Sequence, residues 1–180
     1  PDGRQLIVTV HTLTDRGVWA YDISRGTLTP LARDGEAGGP KWFPDGQRVA
    51  FGWLKDGRRS LAVQPADAGG TAPPRVLVAG EFGPMSFTLD GQLAALRGGQ
   101  DTVLVTFGNG QVGVKPLLDT PNYADSAAFS RDGRRLAYVS RVSGRAEVYV
   151  RPYPGPGKAE QVSVEGGSDP AWNPNGRELF

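Results

Sequence analysis

Few residues in this chain have types and spacings that could do chemistry. Its only histidine, His11, would have to serve as the base of a Ser-His-Asp site or as a zinc ligand, and either role needs partners at fixed geometry. No Gly-x-Ser-x-Gly elbow occurs, and Gly166-Gly167-Ser168-Asp169-Pro170 has the wrong spacing for one. His11 also closes an alternating strand-like run, which suits a strand-edge position. The segment Gly108-Asn109-Gly110-Gln111-Val112-Gly113 matches the dinucleotide-binding pattern Gly-x-Gly-x-x-Gly. That pattern needs a following helix whose N-terminal amides hold a pyrophosphate, yet Pro116 stands where the helix should run. A turn at Asn109-Gly110 between two strands is expected instead. The aspartates form no Asp-x-Asp-x-Asp-Gly calcium loop. With no cysteine, thiolate metal sites and disulfides are excluded. No catalytic residue, metal ligand or cofactor site is therefore assigned.

The elements that position these residues follow from a repeat. An Asp/Asn-Gly pair recurs at Asp2-Gly3, Asp45-Gly46, Asp90-Gly91, Asp132-Gly133 and Asn175-Gly176, at spacings of 43, 45, 42 and 43 residues. Each pair after the first follows a short apolar segment, such as Pro40–Pro44 or Pro170–Pro174, and strand-like runs such as Arg48–Trp53 and Arg135–Val139 follow the pairs. Proline presets the first corner, Asp or Asn bonds the local backbone, and Gly accepts positive φ, so these ten residues are read as structural turns. A polar loop, a third alternating strand and a weaker fourth strand complete each unit. A Gly-rich link (Gly38-Gly39-Pro40, Gly83-Pro84, Gly166-Gly167) leads to the next.

Four short antiparallel strands every 40–45 residues or so is the size of a propeller blade. The expected fold is all-β, a β-propeller segment of about four four-stranded blades cut from a longer ring. Residues 1–180 form a single partial domain on this reading. Its blades lie near 1–38, 39–82, 83–124 and 125–168, with a fifth beginning at 169–180. An open arc leaves blade faces and strand edges uncovered, so the isolated chain is expected to be less soluble than its composition suggests.

The bulk composition adds exclusions. With 20 Lys and Arg against 19 Asp and Glu, the net charge is +1, which lacks the basic excess of a nucleic-acid binder. No run approaches the roughly 18 apolar residues of a membrane span, so no membrane contact is expected within this segment.

The best binding candidate is positional. In ordinary blade topology the loops between second and third strands share one rim with the links between blades. The first set carries Arg16, Arg58, Arg59, Arg141 and Arg145; the second carries Asp34, Glu36, Glu81, Asp125 and Asp169. Arginine forks suit carboxylates and phosphates, so this rim is a candidate site for a protein or peptide partner or a small anionic ligand. The competing reading is that the two sets neutralise one another and keep the rim soluble. Trp19, Trp42, Trp53 and Trp172 follow the strand pattern and are read as core or blade-interface packing.

The unit Phe129–Ser140, with Gly144–Val150 after it, resembles the WD-like propeller repeat of TolB-type proteins. It is also similar to the propellers of prolyl-oligopeptidase and dipeptidyl-peptidase enzymes. Blades two and four match best, whereas Leu93–Gly99 of blade three lacks the Ser-x-x-x-Gly loop, and the Gly-His and Trp-Asp signatures of eukaryotic WD repeats are missing. The stretch Glu147–Gly157, followed by Gly166–Trp172 and Gly176–Phe180, resembles the C-terminal propeller of bacterial serine/threonine kinases of the eukaryotic type. That resemblance implies a non-catalytic, extracytoplasmic sensing or scaffolding domain that works with the remaining blades of its parent chain. The alternative it leaves open is the gating propeller of a prolyl-oligopeptidase-type hydrolase; a purely structural secreted scaffold is a third.

Overall fold

A computed structural model describes residues 3–13, 16–32, 34–70, 72–108, 110–118 and 124–180, without the side chains of Ala124 and Asp125. Asp2, Asp15 and Asn109 lie outside the described residues. The described residues contain fifteen β-strands and no helix. The chain divides into two compact units, Pro1–Pro84 and Met85–Phe180.

In the first unit, β1 (Gln5–His11), β2 (Arg16–Asp22) and β3 (Thr27–Ala32) form a three-stranded antiparallel sheet. Next come β4 (Glu36–Trp42), β5 (Arg48–Lys55), β6 (Arg58–Pro65) and β7 (Arg75–Ala79), paired in sequence order as a four-stranded sheet. Strand β8 (Phe82–Phe87) contains the boundary between the units. It belongs to the third sheet, with β9 (Leu93–Arg97), β10 (Asp101–Gly108) and β11 (Gln111–Pro116). The fourth sheet comprises β12 (Ala124–Phe129), β13 (Arg135–Ser140), β14 (Glu147–Pro152) and β15 (Glu160–Gln161). Its last strand covers only two residues, in keeping with the weaker fourth strand expected of each unit. All these sheets are antiparallel meanders, as a propeller blade requires.

Middle strands carry the core because both of their faces are covered. In β5, Val49, Ala50 and Phe51 are all fully buried, and Phe51 pairs across to buried Ala62. Burying a side chain such as Phe51 contributes about 1.5–3 kcal/mol. Trp53 belongs to the same cluster, against which Trp42 packs. The second unit repeats the scheme: Tyr138 of β13 pairs with Tyr149 of β14, their rings stacked at 5.9 Å between centroids. Trp172 is half-buried and donates its indole N–H to the Ala128 carbonyl at 3.0 Å.

Gly38, Gly39 and Pro40 sit inside β4 rather than in a link before it. The register of β4 on β5 shifts between Gly38 and Lys41, and Gly39 has a φ of 62°. A bulge there absorbs both the left-handed residue and the missing proline donor. Gly52 of β5 makes a different kind of room: a Cβ there would lie 2.7 Å from the Phe82 carbonyl oxygen.

Candidate functional site

Loops of an antiparallel meander alternate between its two ends, so every sheet has a turn end, where the Asp/Asn-Gly pairs lie, and a loop end, which in the first, second and fourth sheets carries the candidate arginines.

At the turn ends one geometry recurs. The amides of Gly46, Gly133 and Gly176 donate to the carbonyls of Phe43, Ser130 and Asn173 at 3.0, 2.9 and 2.8 Å. These glycines have φ values of 68°, 68° and 69°, and Gly3 and Gly91 have 75° and 85°. The acidic or amide side chain takes the next orphan donor: Gln47, Arg134 and Arg177 donate their amides to Asp45, Asp132 and Asn175 at 2.8, 3.0 and 2.9 Å. These bonds perturb the carboxylates. The Ser130 hydroxyl, then the Arg134 amide, hold Asp132 below its ordinary range. Thr88 and then Gln92 do the same for Asp90. Desolvation pushes Asp45 up, but the Gln47 amide and the Arg48 guanidinium outweigh it and the carboxyl is depressed. In the third sheet the Thr88 amide returns to Gln92, a loop one residue shorter than Phe43 to Arg48.

Six residues before Asp45, Asp132 and Asn175 stand Gly39, Ser126 and Asp169, all left-handed, with φ of 62°, 51° and 49°. Pro84 occupies the matching place before Asp90. In the second unit the Ser126 hydroxyl donates to the Asp169 carboxylate at 3.2 Å. Sequence reasoning missed these left-handed residues, which accompany register shifts in β4 and β12; their signal is a small or polar residue six positions before three of the turns.

At the loop ends the five candidate arginines have separate fates. Arg16, at the start of β2, lies over Gly38, where a Cβ would come 2.5 Å from its Nη2 atom. Arg59 pairs with Glu81 at 3.3 Å, both about half exposed. Arg145 pairs with Glu147 at 2.5 Å. Arg58 and Arg141 are exposed and make no ion pair among the described residues. Of the acidic set, Asp34 meets Lys55 at 3.5 Å and its carbonyl accepts the Trp53 indole N–H at 2.8 Å. Glu36 is exposed, and the Asp125 side chain lies outside the described residues. The two sets thus meet directly at Arg59–Glu81.

Glu147 is the residue that sequence reasoning placed only as one position of an alternating strand. It is the only fully buried charged side chain among the described residues. Its carboxylate accepts from Arg145 Nε, from the Ser163 hydroxyl and from the Gly166 amide at 2.9 Å. The Ser163 hydroxyl first, then Arg145 and the Gly166 amide, hold its pKa below the ordinary value despite desolvation. This clasp ties β14 to the segment that follows β15.

The enzymatic motifs find no supporting geometry. His11 is exposed at the end of β1, opposite Arg16. Gly108 ends β10 and Gln111 begins β11, so a strand follows where a nucleotide site needs a helix. Gly110 is left-handed, with φ 76°. No group of three His, Cys, Asp or Glu suited to a metal occurs among the described residues. A cleft of about 180 Å³ in the first unit, lined in part by Gln5, Asp22, Thr29 and Asp67, is smaller than the roughly 300–1,000 Å³ of typical ligand pockets.

No family model matches the chain. A periplasmic gluconolactonase of Pseudomonas aeruginosa aligns over 99% of this chain and 60% of its own, with a TM-score of 0.62 and 19% identity. The crystal structure of TolB from Acinetobacter baumannii aligns over 99% of this chain with a TM-score of 0.80 and 22% identity, and the chain spans 46% of it. In sequence, the Tol-Pal system protein TolB of Anaeromyxobacter dehalogenans (strain 2CP-C) is 37% identical over 70 residues. That match covers 39% of this chain and 16% of the relative. Structural likeness at such identities speaks for fold, which enzymes and binding proteins share. With the sequence match pointing the same way as the structural one, this chain has a β-propeller fold similar to that of TolB.

Proposed function

We propose that this chain is a non-catalytic, protein-binding propeller domain working outside the cytoplasm. The observation that carries this reading is the 37% identity to a Tol-Pal system protein over 70 residues. Residues 1–180 are read as one partial propeller domain, with a further blade beginning near Asp169. The partner is a protein or peptide, with a small anionic ligand as the lesser option. On the loop ends, Arg58 and Arg141 are the candidates with free guanidinium groups among the described residues, while Arg16, Arg59 and Arg145 serve mainly to hold the loops in place. Within the parent protein the propeller acts as the partner-binding module of a Tol-Pal type system or as the sensor of a membrane-anchored serine/threonine kinase.

Two experiments test this. Calorimetric titration of the chain with the Pal component from the same genome is expected to give a dissociation constant in the micromolar range or tighter; absence of heat at high concentration removes the Tol-Pal version. Reading the gene outward separates the rest. An upstream kinase domain with a membrane span supports the sensor role. A downstream Gly-x-Ser-x-Gly elbow with later Asp and His overturns the binding reading in favour of a peptidase gate.

A further inference from the structure

The two ends of the sheets in the second unit handle charge differently. At the loop end half of the cations are matched, Arg97 with Asp101 at 2.8 Å and Arg145 with the buried Glu147, while Arg141 and Lys115 make no ion pair among the described residues. At the turn end, Arg131, Arg134, Arg135, Arg151, Lys158 and Arg177 make no ion pair among the described residues. All but Arg151 are exposed, and Arg151 is half-exposed.

The turn chemistry explains the imbalance. Each turn spends its carboxylate on its own backbone and neighbouring side chains. Asp132 accepts from the Ser130 hydroxyl at 2.6 Å and the Arg134 amide at 3.0 Å. Asp90 accepts from Thr88 and from Gln92 Nε2. Glu178 accepts from Asn173 and Asn175 at 2.6 and 3.5 Å. Glu160 is the remaining carboxylate at this end of the fourth sheet. Arg151 donates to the Gly155 carbonyl at 3.3 Å, whereas Arg131, Arg134, Arg135 and Arg177 are exposed without an ion pair among the described residues, the condition in which a bidentate carboxylate partner gains most.

Local contacts make the surface continuous. The Arg135 guanidinium stands 6.0 Å from the Trp172 ring centroid, and the Trp172 strand bridges to Leu179, beside Arg177 and Glu178. The Tyr153 amide donates to the Arg134 carbonyl at 2.8 Å, and the Tyr153 ring packs on Phe129 at 4.7 Å. Asp90 raises the Tyr153 phenol pKa, second to burial, which places the β8–β9 turn beside it. Leu89 of that turn is 66% exposed. Arginine with aromatic and apolar neighbours is the composition of a protein-binding hot spot.

We infer that the turn end of the second unit, centred on Arg134 and Arg135, is a docking surface for an acidic, carboxylate-bearing segment of a partner protein. Interspersed Asp90, Asp132 and Glu178 disfavour a continuous polyphosphate, and the near-zero net charge of the chain, +1, argues the same way. A segment whose carboxylates are spaced by small or apolar residues fits this alternation. This surface is distinct from the loop-end arginines, so it stands or falls separately from any interaction with a Pal component.

The test is fluorescence anisotropy of a labelled glutamate- and serine-rich peptide titrated with the 180-residue chain. The double variant Arg134→Glu/Arg135→Glu is expected to weaken binding about tenfold or more, as loss of two charge-assisted contacts would. The double variant Arg131→Glu/Arg177→Glu should weaken it in the same direction and guards against a folding defect in the first. The loop-end control Arg97→Glu/Lys115→Glu, at exposed cations of the third sheet that belong to no candidate site, should stay within about twofold. Equal losses in all three variants would reveal diffuse electrostatics and overturn the assignment. So would no binding by the parent chain, or tighter binding to phosphatidylglycerol vesicles than to the peptide.

Discussion

Two hairpins of this chain share a spelling and differ in what they do with it. β5–β6 turns through Gly57-Arg58-Arg59-Ser60, and β13–β14 turns through Gly144-Arg145-Ala146-Glu147. Ser60 and Glu147 occupy equivalent ladder positions, opposite Trp53 and Ser140. In the first hairpin the Ser60 hydroxyl satisfies itself on the Trp53 carbonyl at 3.4 Å, and Arg59 reaches outward to the exposed Glu81. In the second, Glu147 is buried, draws in Arg145, and reaches on to Ser163 and Gly166. The same register position carries a self-satisfied serine in one hairpin and, in the other, a carboxylate that Arg145, Ser163 and Gly166 close around. The repeat dictates the backbone; side chains at equivalent positions dictate the wiring.

Mutations can break or sharpen this contrast. The largest effect should come from what the hairpins have in common. Phe51→Ala and its counterpart Tyr138→Ala each remove a buried ring, and each is expected to cost about 3–5 kcal/mol in urea unfolding. A much smaller loss at Tyr138 would mean the second hairpin leans on its clasp rather than its core. Next comes the position that separates them. Glu147→Ala strands the Gly166 amide and the Ser163 hydroxyl and should lower the melting temperature by about 5 °C or more. Ser60→Ala should cost about 1 kcal/mol or less. Equal effects would erase the distinction.

Acidification isolates the same group. The folded pKa of Glu147 lies below its ordinary value of 4.5. Its stabilising contribution is therefore complete above that pH and is lost as pH falls through the folded pKa. Glu147→Gln should flatten part of the acid limb of a stability profile. Asp22, Asp45, Asp90 and Asp132, all depressed by hydrogen bonds, supply the remaining slope. An unchanged limb would show that the clasp carboxylate is not held in its ionised form. The smallest effect belongs to the exposed pair: Arg59→Ala should change stability by about 0–1 kcal/mol, and by less in high salt.

Much of the fold was legible because it rests on local chemistry that repeats. Asp45-Gly46 and Asp132-Gly133 announce their turns through residues whose bonds are made within the turn itself. Val49–Phe51 announce a middle strand by being apolar on both faces. Bulges were harder to read: Gly38-Gly39-Pro40 looks like a link, because the residues that bend a strand are the same ones that end it. The positive φ of Ser126 and Asp169 shows in sequence only as a matching offset from the turns, since residue type alone does not fix φ at a non-glycine position. The rim was legible as a list of charges, but not as pairs. Which carboxylate meets Arg145 depends on the ladder register that turns Glu147 inward, and on Ser163 and Gly166 closing over it from a distant stretch of sequence.

The notch at Gly52 limits how freely these units can be exchanged. Its counterpart in the fourth sheet is Val139, opposite Val148 as Gly52 is opposite Leu61. Any side chain at Gly52 would strike the Phe82 carbonyl, so a β13–β14 hairpin transplanted into the place of β5–β6 would arrive with two methyl groups where there is no volume. Repeats that look like interchangeable tiles are thus keyed to their places, and recombination between them would succeed only where the exchanged segment brings its own glycine.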